Sequence, residues 1–190
     1  GETLWSSIEE VVTKFIQMES GALQGIGVAS AGPLDIPTGT LSPVNIPIWR
    51  DFPIISRLET LSGGTSVALH GDALALAHAE HRMGAGRDLQ NMLGMVVSTG
   101  IGGGVVLNGA FHVGRTGNAG MIGHSVVVQG GNVCACGQRG CVEAYASGTN
   151  MAKDFGVDKF EEVAEAARKG DAKAVAAIEK GAAVLALGLL

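Results

Sequence analysis

The residues best equipped for chemistry are three cysteines and a histidine. Cys134, Cys136 and Cys141 fall within eight residues, and His124 lies ten residues ahead of the first. Thiolate and imidazole are the ligands of tetrahedral zinc, and a structural zinc site takes four of them. An odd, tight set is a poor disulfide framework, and Cys134 and Cys136 stand too close for an easy mutual bridge. The spacing predicts structural zinc at His124, Cys134, Cys136 and Cys141, with glycines at 130, 131, 137 and 140 letting the loop wrap an ion. The alternative is three buried free thiols beside a solvent-facing histidine. A bound ion would fix His124 and leave its second ring nitrogen to face a ligand.

Two further features could act on a ligand. Ser98-Thr99-Gly100-Ile101-Gly102-Gly103-Gly104 follows a strongly apolar run. Backbone N–H groups freed by glycine can cradle phosphate, here at Ser98, Thr99, Gly100, Gly102 and Gly103, with the Thr99 hydroxyl beside them. The same glycines serve equally well in a tight hairpin. The stretch lacks the lysine and serine of a Walker A loop and does not feed a long helix. Asp72 follows a short apolar run and opens a helix-forming one. It is either an N-cap or a carboxylate available for proton transfer.

The stretch GNAGMIGHSVVVQGGNVCACGQRGCVEAYASG, residues 117–148, resembles the signature of the ROK family (repressors, open reading frames and kinases). The family pattern is Gly-Glu-x-Gly-His, then Cys-x-Cys-Gly-x-x-Gly-Cys-x-Glu, and nearly the whole chain can be placed on it. The resemblance implies an α/β, actin-like ATPase (ribonuclease H-like) sugar kinase fold. It implies zinc on His124, Cys134, Cys136 and Cys141, and sugar contacts from Asp72, His124 and Glu143. Ser98 to Gly104 resembles the second phosphate loop of actin-like sugar kinases. Asp72 matches the catalytic base of the family's Asn-Asp-Ala-Asn, in Gly71-Asp72-Ala73-Leu74. Two departures remove polar sugar contacts. Gly71 stands for the first asparagine, and Met121 stands for the glutamate ahead of the histidine.

The family's two branches imply different activities. Ser42–Ile54 (SPVNIPIWRDFPI) and residues 79–88 (AEHRMGAGRD) look more like regulator members, and sensing tolerates altered contacts better than catalysis does. The favoured expectation is therefore the sugar-sensing domain of a ROK-type transcriptional regulator. The alternative is an ATP-dependent sugar kinase, glucokinase-like, acting on a hexose or amino sugar with ATP and magnesium. A third reading is a degenerate member with a structural role. No Asp-x-Gly-Gly-Thr loop or winged helix-turn-helix is seen in the opening residues, and no adenosine-holding Gly-Gly segment at the end. The chain reads as incomplete at both ends and inactive on its own. Residues 1–71 are expected to belong to the N-terminal lobe, and residues 72–190 to the C-terminal lobe with the zinc loop at 124–141.

Helix and strand signals alternate. Leu4, Ile8, Val11, Val12, Phe15 and Ile16 recur at helical spacing, with Gly21 as the expected stop. Ile26 and Val28 mark a buried strand, residues 34–50 read as irregular, 52–61 as a short helix and 66–69 as a strand. A helix is expected at 73–83 and a strand at 92–97. A hairpin at 104–112 turns on Asn108-Gly109, and another strand is expected at 126–128. Helices follow at 142–153, 158–168 and 171–190, the last capped by Asp171.

Composition narrows the partners. The 190 residues are 46% hydrophobic with 30 glycines, which excludes global disorder. A net charge of −5, with no basic block, leaves no surface for duplex DNA. DNA could be reached only through a domain outside this chain. No run is long and apolar enough to span a bilayer. Clustered reduced thiols place the protein in the cytoplasm, and the resemblance implies a homodimer.

Overall fold

The computed structural model describes residues 1–18 and 23–190; the expected helix stop at Gly21 lies outside the described residues. The fold is mixed α/β and divides into two units, one of residues 1–75 with 113–119, the other of residues 76–112 with 120–190.

The first unit opens with helix α1 (Glu2–Met18). Strands β1 (Ile26–Ser30) and β4 (Val67–Gly71) pair in parallel, Ile26 opposite Val67 through Ser30 opposite Gly71. Parallel strands need a long crossover, and here it carries the antiparallel ribbon β2 (Leu34–Asp35) and β3 (Thr40–Leu41), then helix α2 (Ile54–Leu61). The ribbon replaces the irregular structure expected at 34–41. Its two-residue strands are too short to show a period of two in sequence.

Trp5, Leu41, Trp49, Phe52, Leu58 and Leu69 form the core of this unit. Trp49 and Phe52 stack with centroids 4.1 Å apart, worth about 0.5–1.5 kcal/mol beyond their buried area. Arg57 closes the cluster, lying over the rings of Phe52 and Trp5 and forking onto the Glu2 carboxylate. The segment 113–119 completes the unit. Asn118 Oδ1 accepts from Leu34 N at 3.0 Å, and its Nδ2 donates to Leu34 O at 2.7 Å. One amide side chain thus serves the edge of β2 that β3 leaves unpaired.

Helix α3 (Asp72–Met83) leads into the second unit. There β5 (Met92–Val97), β6 (Ile101–Leu107) and β7 (Ala110–His112) form an antiparallel sheet. Asn108 and Gly109 have φ of 52° and 72°, the two positive values of the expected type I′ turn. Val126–Val128 is not a strand: Val126 makes one isolated bridge to Cys141. The N–H groups of Val127 and Val128 both donate to the single carbonyl of Gly140, which a ladder cannot provide. The helix expected at 142–153 is two, α4 (Glu143–Ala146) and α5 (Gly148–Phe155). The break falls at Ser147, whose extended backbone and side chain cap α5 through Asn150 N. Helices α6 (Phe160–Arg168) and α7 (Ala172–Leu187) follow, and Asp171 caps α7 at Ala174 N as expected. Among the described residues no helix is long and apolar enough to cross a membrane.

Candidate metal centre and ligand site

The metal loop is built by backbone bonds before any ion is considered. A 3-10 turn at Ile122–His124 positions the histidine. Cys134 N donates to Gln138 O, Gly137 N to Cys134 O, and Gly140 N to Asn132 O, which folds the cysteine segment into a knuckle. The Tyr145 hydroxyl accepts from Asn132 N at 2.7 Å and ties the knuckle to α4.

Gly140 is required twice. Its φ is +84°, and a Cβ there would run into the Val128 carbonyl. Gly137 has φ +90° but open space around it. Gly140→Ala is therefore expected to be destabilised by the strain of a left-handed residue, about 1–3 kcal/mol, plus the clash. Gly137→Ala should carry the strain alone. Urea unfolding of both variants should rank G140A as clearly the less stable.

The four predicted ligands come together. Their ligating atoms all lie within 4.8 Å of one another. Cys134 Sγ is 3.6 Å from His124 Nδ1, and Cys136 Sγ is 3.7 Å from Cys141 Sγ. A tetrahedron with metal–sulfur bonds of about 2.3 Å and metal–nitrogen bonds of about 2.0–2.1 Å has edges of about 3.6 and 3.8 Å. These two separations thus match the edges of a tetrahedral metal site, and the whole set is compact enough to close on one ion. All three cysteines are free thiols, Cys134 and Cys141 buried and Cys136 exposed. Burial, with the neighbouring sulfurs, pushes the Cys141 thiol up to about 12, and burial raises that of Cys134 as well. Without a cation these sulfurs hold their protons, and a metal ion would displace them. The inward nitrogen of His124 is Nδ1, leaving Nε2 on the far side of the ring.

The glycine stretch is shorter as a loop than its sequence implied. Ser98, Thr99 and Gly100 form the turn, whereas Gly102 and Gly103 lie inside β6, opposite Val96 and Met95. Glu143 opens α4 two residues after Cys141, and its Oε2 accepts from Ile101 N at 2.7 Å. Gly148 N donates to Ser98 O at 2.7 Å, and Thr149 Oγ1 to Thr99 O at 3.0 Å. Sequence reasoning did not single out Gly148 or Thr149, because their partners lie fifty residues away.

Asp72 belongs to the first unit. It is exposed at the carboxyl end of β4, and its Oδ1 accepts from the adjacent Ala73 N at 2.8 Å. That bond is not the N-cap pattern, in which the side chain reaches two or three residues on. Asp72 is the first residue of α3 itself. The carboxyl end of parallel strands is where open α/β sheets bind ligands.

Elements and ligand cluster together define an actin- and hexokinase-like α/β protein carrying a His/Cys loop. The chain belongs to the ROK family, whose model matches residues 1–190. It is 34% identical over 194 residues to the N-acetylmannosamine kinase of Haemophilus influenzae (strain PittEE), covering 97% of this chain and 63% of that protein. It superposes on the ROK hexokinase of Thermus thermophilus with a TM-score of 0.85 at 36% identity, covering 100% of this chain and 64% of that one. A ROK family transcriptional regulator, a homologue of the E. coli MLC protein, superposes with a TM-score of 0.79 at 24% identity over 98% of this chain and 51% of its own, a likeness of fold alone. The chain therefore spans about three fifths of the length of the kinases it matches.

Proposed function

We propose that this chain is the sugar-binding and zinc-bearing part of an ATP-dependent ROK sugar kinase, acting on a hexose or an N-acylated amino sugar. The observation that carries this reading is identity above 30% to proteins named as kinases along nearly the whole chain. The regulator expectation gives way to its alternative. It rested on Ser42–Ile54, on residues 79–88 and on the altered sugar contacts, but Trp49 and Phe52 of the first stretch are core residues. Their types answer to packing, which kinases and regulators share.

In this reading residues 1–71 belong to the N-terminal lobe and 72–190 to the C-terminal lobe, apart from residues 72–75 and 113–119, which pack with the first unit. Zinc on His124, Cys134, Cys136 and Cys141 is structural, keeping His124 and Glu143 in place for sugar hydroxyls. Asp72 accepts the proton of the attacking hydroxyl. That oxygen bonds to the γ-phosphorus of magnesium-bound ATP as the bond to the bridging oxygen breaks and ADP departs. Thr99 and Gly100 offer their N–H groups to phosphate oxygens; Gly102 and Gly103 support that turn from the ladder. Met121 and Gly71 supply no strong hydrogen-bonding side chain, so a ligand with fewer hydroxyls to satisfy fits better. The protein is taken to be a cytoplasmic homodimer.

The test is a phosphorylation assay of the intact protein with magnesium ATP and a panel of glucose, mannose, N-acetylmannosamine and N-acetylglucosamine. Turnover of at least one sugar is expected. No turnover, with sugar-dependent thermal stabilisation and operator binding, would return the protein to the regulator branch.

A further inference from the structure

The turn between β5 and β6 has a complete polar account. All three of its carbonyls are taken: Ser98 O by Gly148 N, Thr99 O by Thr149 Oγ1, and Gly100 O by Ser98 N. Of its donors, Ser98 N–H is used within the turn and Ile101 N–H is held by the Glu143 carboxylate at 2.7 Å. Thr99 N–H and Gly100 N–H have no acceptor among the described residues. Exposed backbone with every acceptor satisfied and two adjacent donors open is a surface for an anion, not a cation.

Glu143 reaches this turn at close quarters. A Cβ at residue 100 would stand 2.7 Å from its Oε2, so glycine there is the condition for the carboxylate's approach. Oε1 makes no hydrogen bond among the described residues. Glu143 also begins two residues after the buried ligand Cys141. One side chain thus joins the metal loop to the anion-binding turn and still has an oxygen to offer a ligand hydroxyl.

We propose that Glu143 is a positioning residue for the phosphate-binding turn as well as a sugar contact, coupling the two substrate sites through its Oε2 bond to Ile101 N. The inference rests on the kinase reading and deepens it. The charge of Glu143 alone would oppose a nearby phosphate, so its two effects on phosphate binding have opposite signs. Glutamine keeps an acceptor for Ile101 N and removes the charge. Alanine removes both.

The experiment uses the intact protein with Glu143→Gln and Glu143→Ala. Amide hydrogen exchange is read over residues 98–102, together with affinity for magnesium AMPPNP and the separate KM values for ATP and sugar. Loss of a hydrogen bond to a charged acceptor corresponds to roughly tenfold or more. E143A is expected to speed exchange in the turn and weaken nucleotide binding by about that factor, raising both KM values. E143Q is expected to raise the KM for sugar while leaving that for ATP within about threefold, because a neutral acceptor remains. Equal damage to nucleotide binding from both variants, or wild-type exchange in E143A, would overturn the proposal. If E143A does not fold, Thr149→Val takes its place: it removes the anchor on Thr99 O, and unchanged exchange and nucleotide affinity there, with E143Q like wild type in both KM values, would overturn it equally. Faster exchange in E143A when even the wild type binds no nucleotide would retain the clamp and discard the kinase reading.

Discussion

Protein purified without added metal is expected to contain about one zinc per chain, and stripping that zinc is expected to abolish cooperative unfolding of the second unit. The four ligating atoms already lie within 4.8 Å of one another, two of their separations at tetrahedral edge length. Zinc contributes on the order of 10–16 kcal/mol in small zinc-folded peptides, against a total stability of about 5–15 kcal/mol for a typical domain. Even a fraction of that value decides whether the knuckle at 132–141 holds. Cys141→Ser should do more damage than Cys136→Ser, since Cys141 is fully buried and Cys136 exposed. The pH dependence has a definite sign. Thiols raised by burial must lose protons to bind metal, so zinc affinity climbs with pH, by up to about tenfold per pH unit for each proton displaced. The metal-free chain behaves oppositely. Its folded state holds the Cys141 proton beyond the ordinary value of 9.0, so it loses stability as pH rises from there towards about 12. A metal-free preparation that melts cooperatively at the same temperature, with no gain from added zinc, would refute the metal site.

The second large effect is expected at Asp72. In the intact protein Asp72→Asn should lower kcat by about 10²–10⁴, the contribution of a positioned general base, with little change in the KM for sugar. Asparagine begins a helix about as well as aspartate, so the melting temperature should stay within experimental scatter. That pairing separates catalysis from helix initiation. Full activity in D72N would leave Asp72 only a place at the start of α3. Its exposed carboxylate bonds one neighbouring N–H, so replacing it leaves no buried group unsatisfied.

The metal set was readable in sequence because its chemistry is local. Four candidate ligands, one histidine and three cysteines, fall between residues 124 and 141, and no packing is needed to see them. The hairpin was readable for the same reason: Asn108-Gly109 dictates its own dihedrals. Capping made α7 readable at Asp171. What escaped was settled at long range. Asn118 serves Leu34 across 84 residues, and Thr149 serves Thr99 across 50. No pattern within a window of sequence marks either. Val126–Val128 has the branched residues of a strand but not a partner to ladder with, and Ser147 divides one apolar helical run into two by taking an extended backbone. Gly102 and Gly103 looked like loop because glycine is the usual sign of one. Here they lie in a paired strand.

The return of residues 113–119 to the first unit sets an order on synthesis. Leu34 exchanges hydrogen bonds with the Asn118 side chain and Ile36 N donates to Thr116 O, so the first unit cannot complete its β2 edge when residue 75 leaves the ribosome. The stretch up to 119 must be translated first, a wait of about 2–9 s at roughly 5–20 residues per second. During that interval the backbone of the ribbon is open to any passing extended chain. A chaperone, or slower delivery of the nascent chain to crowded solution, would matter most in those seconds.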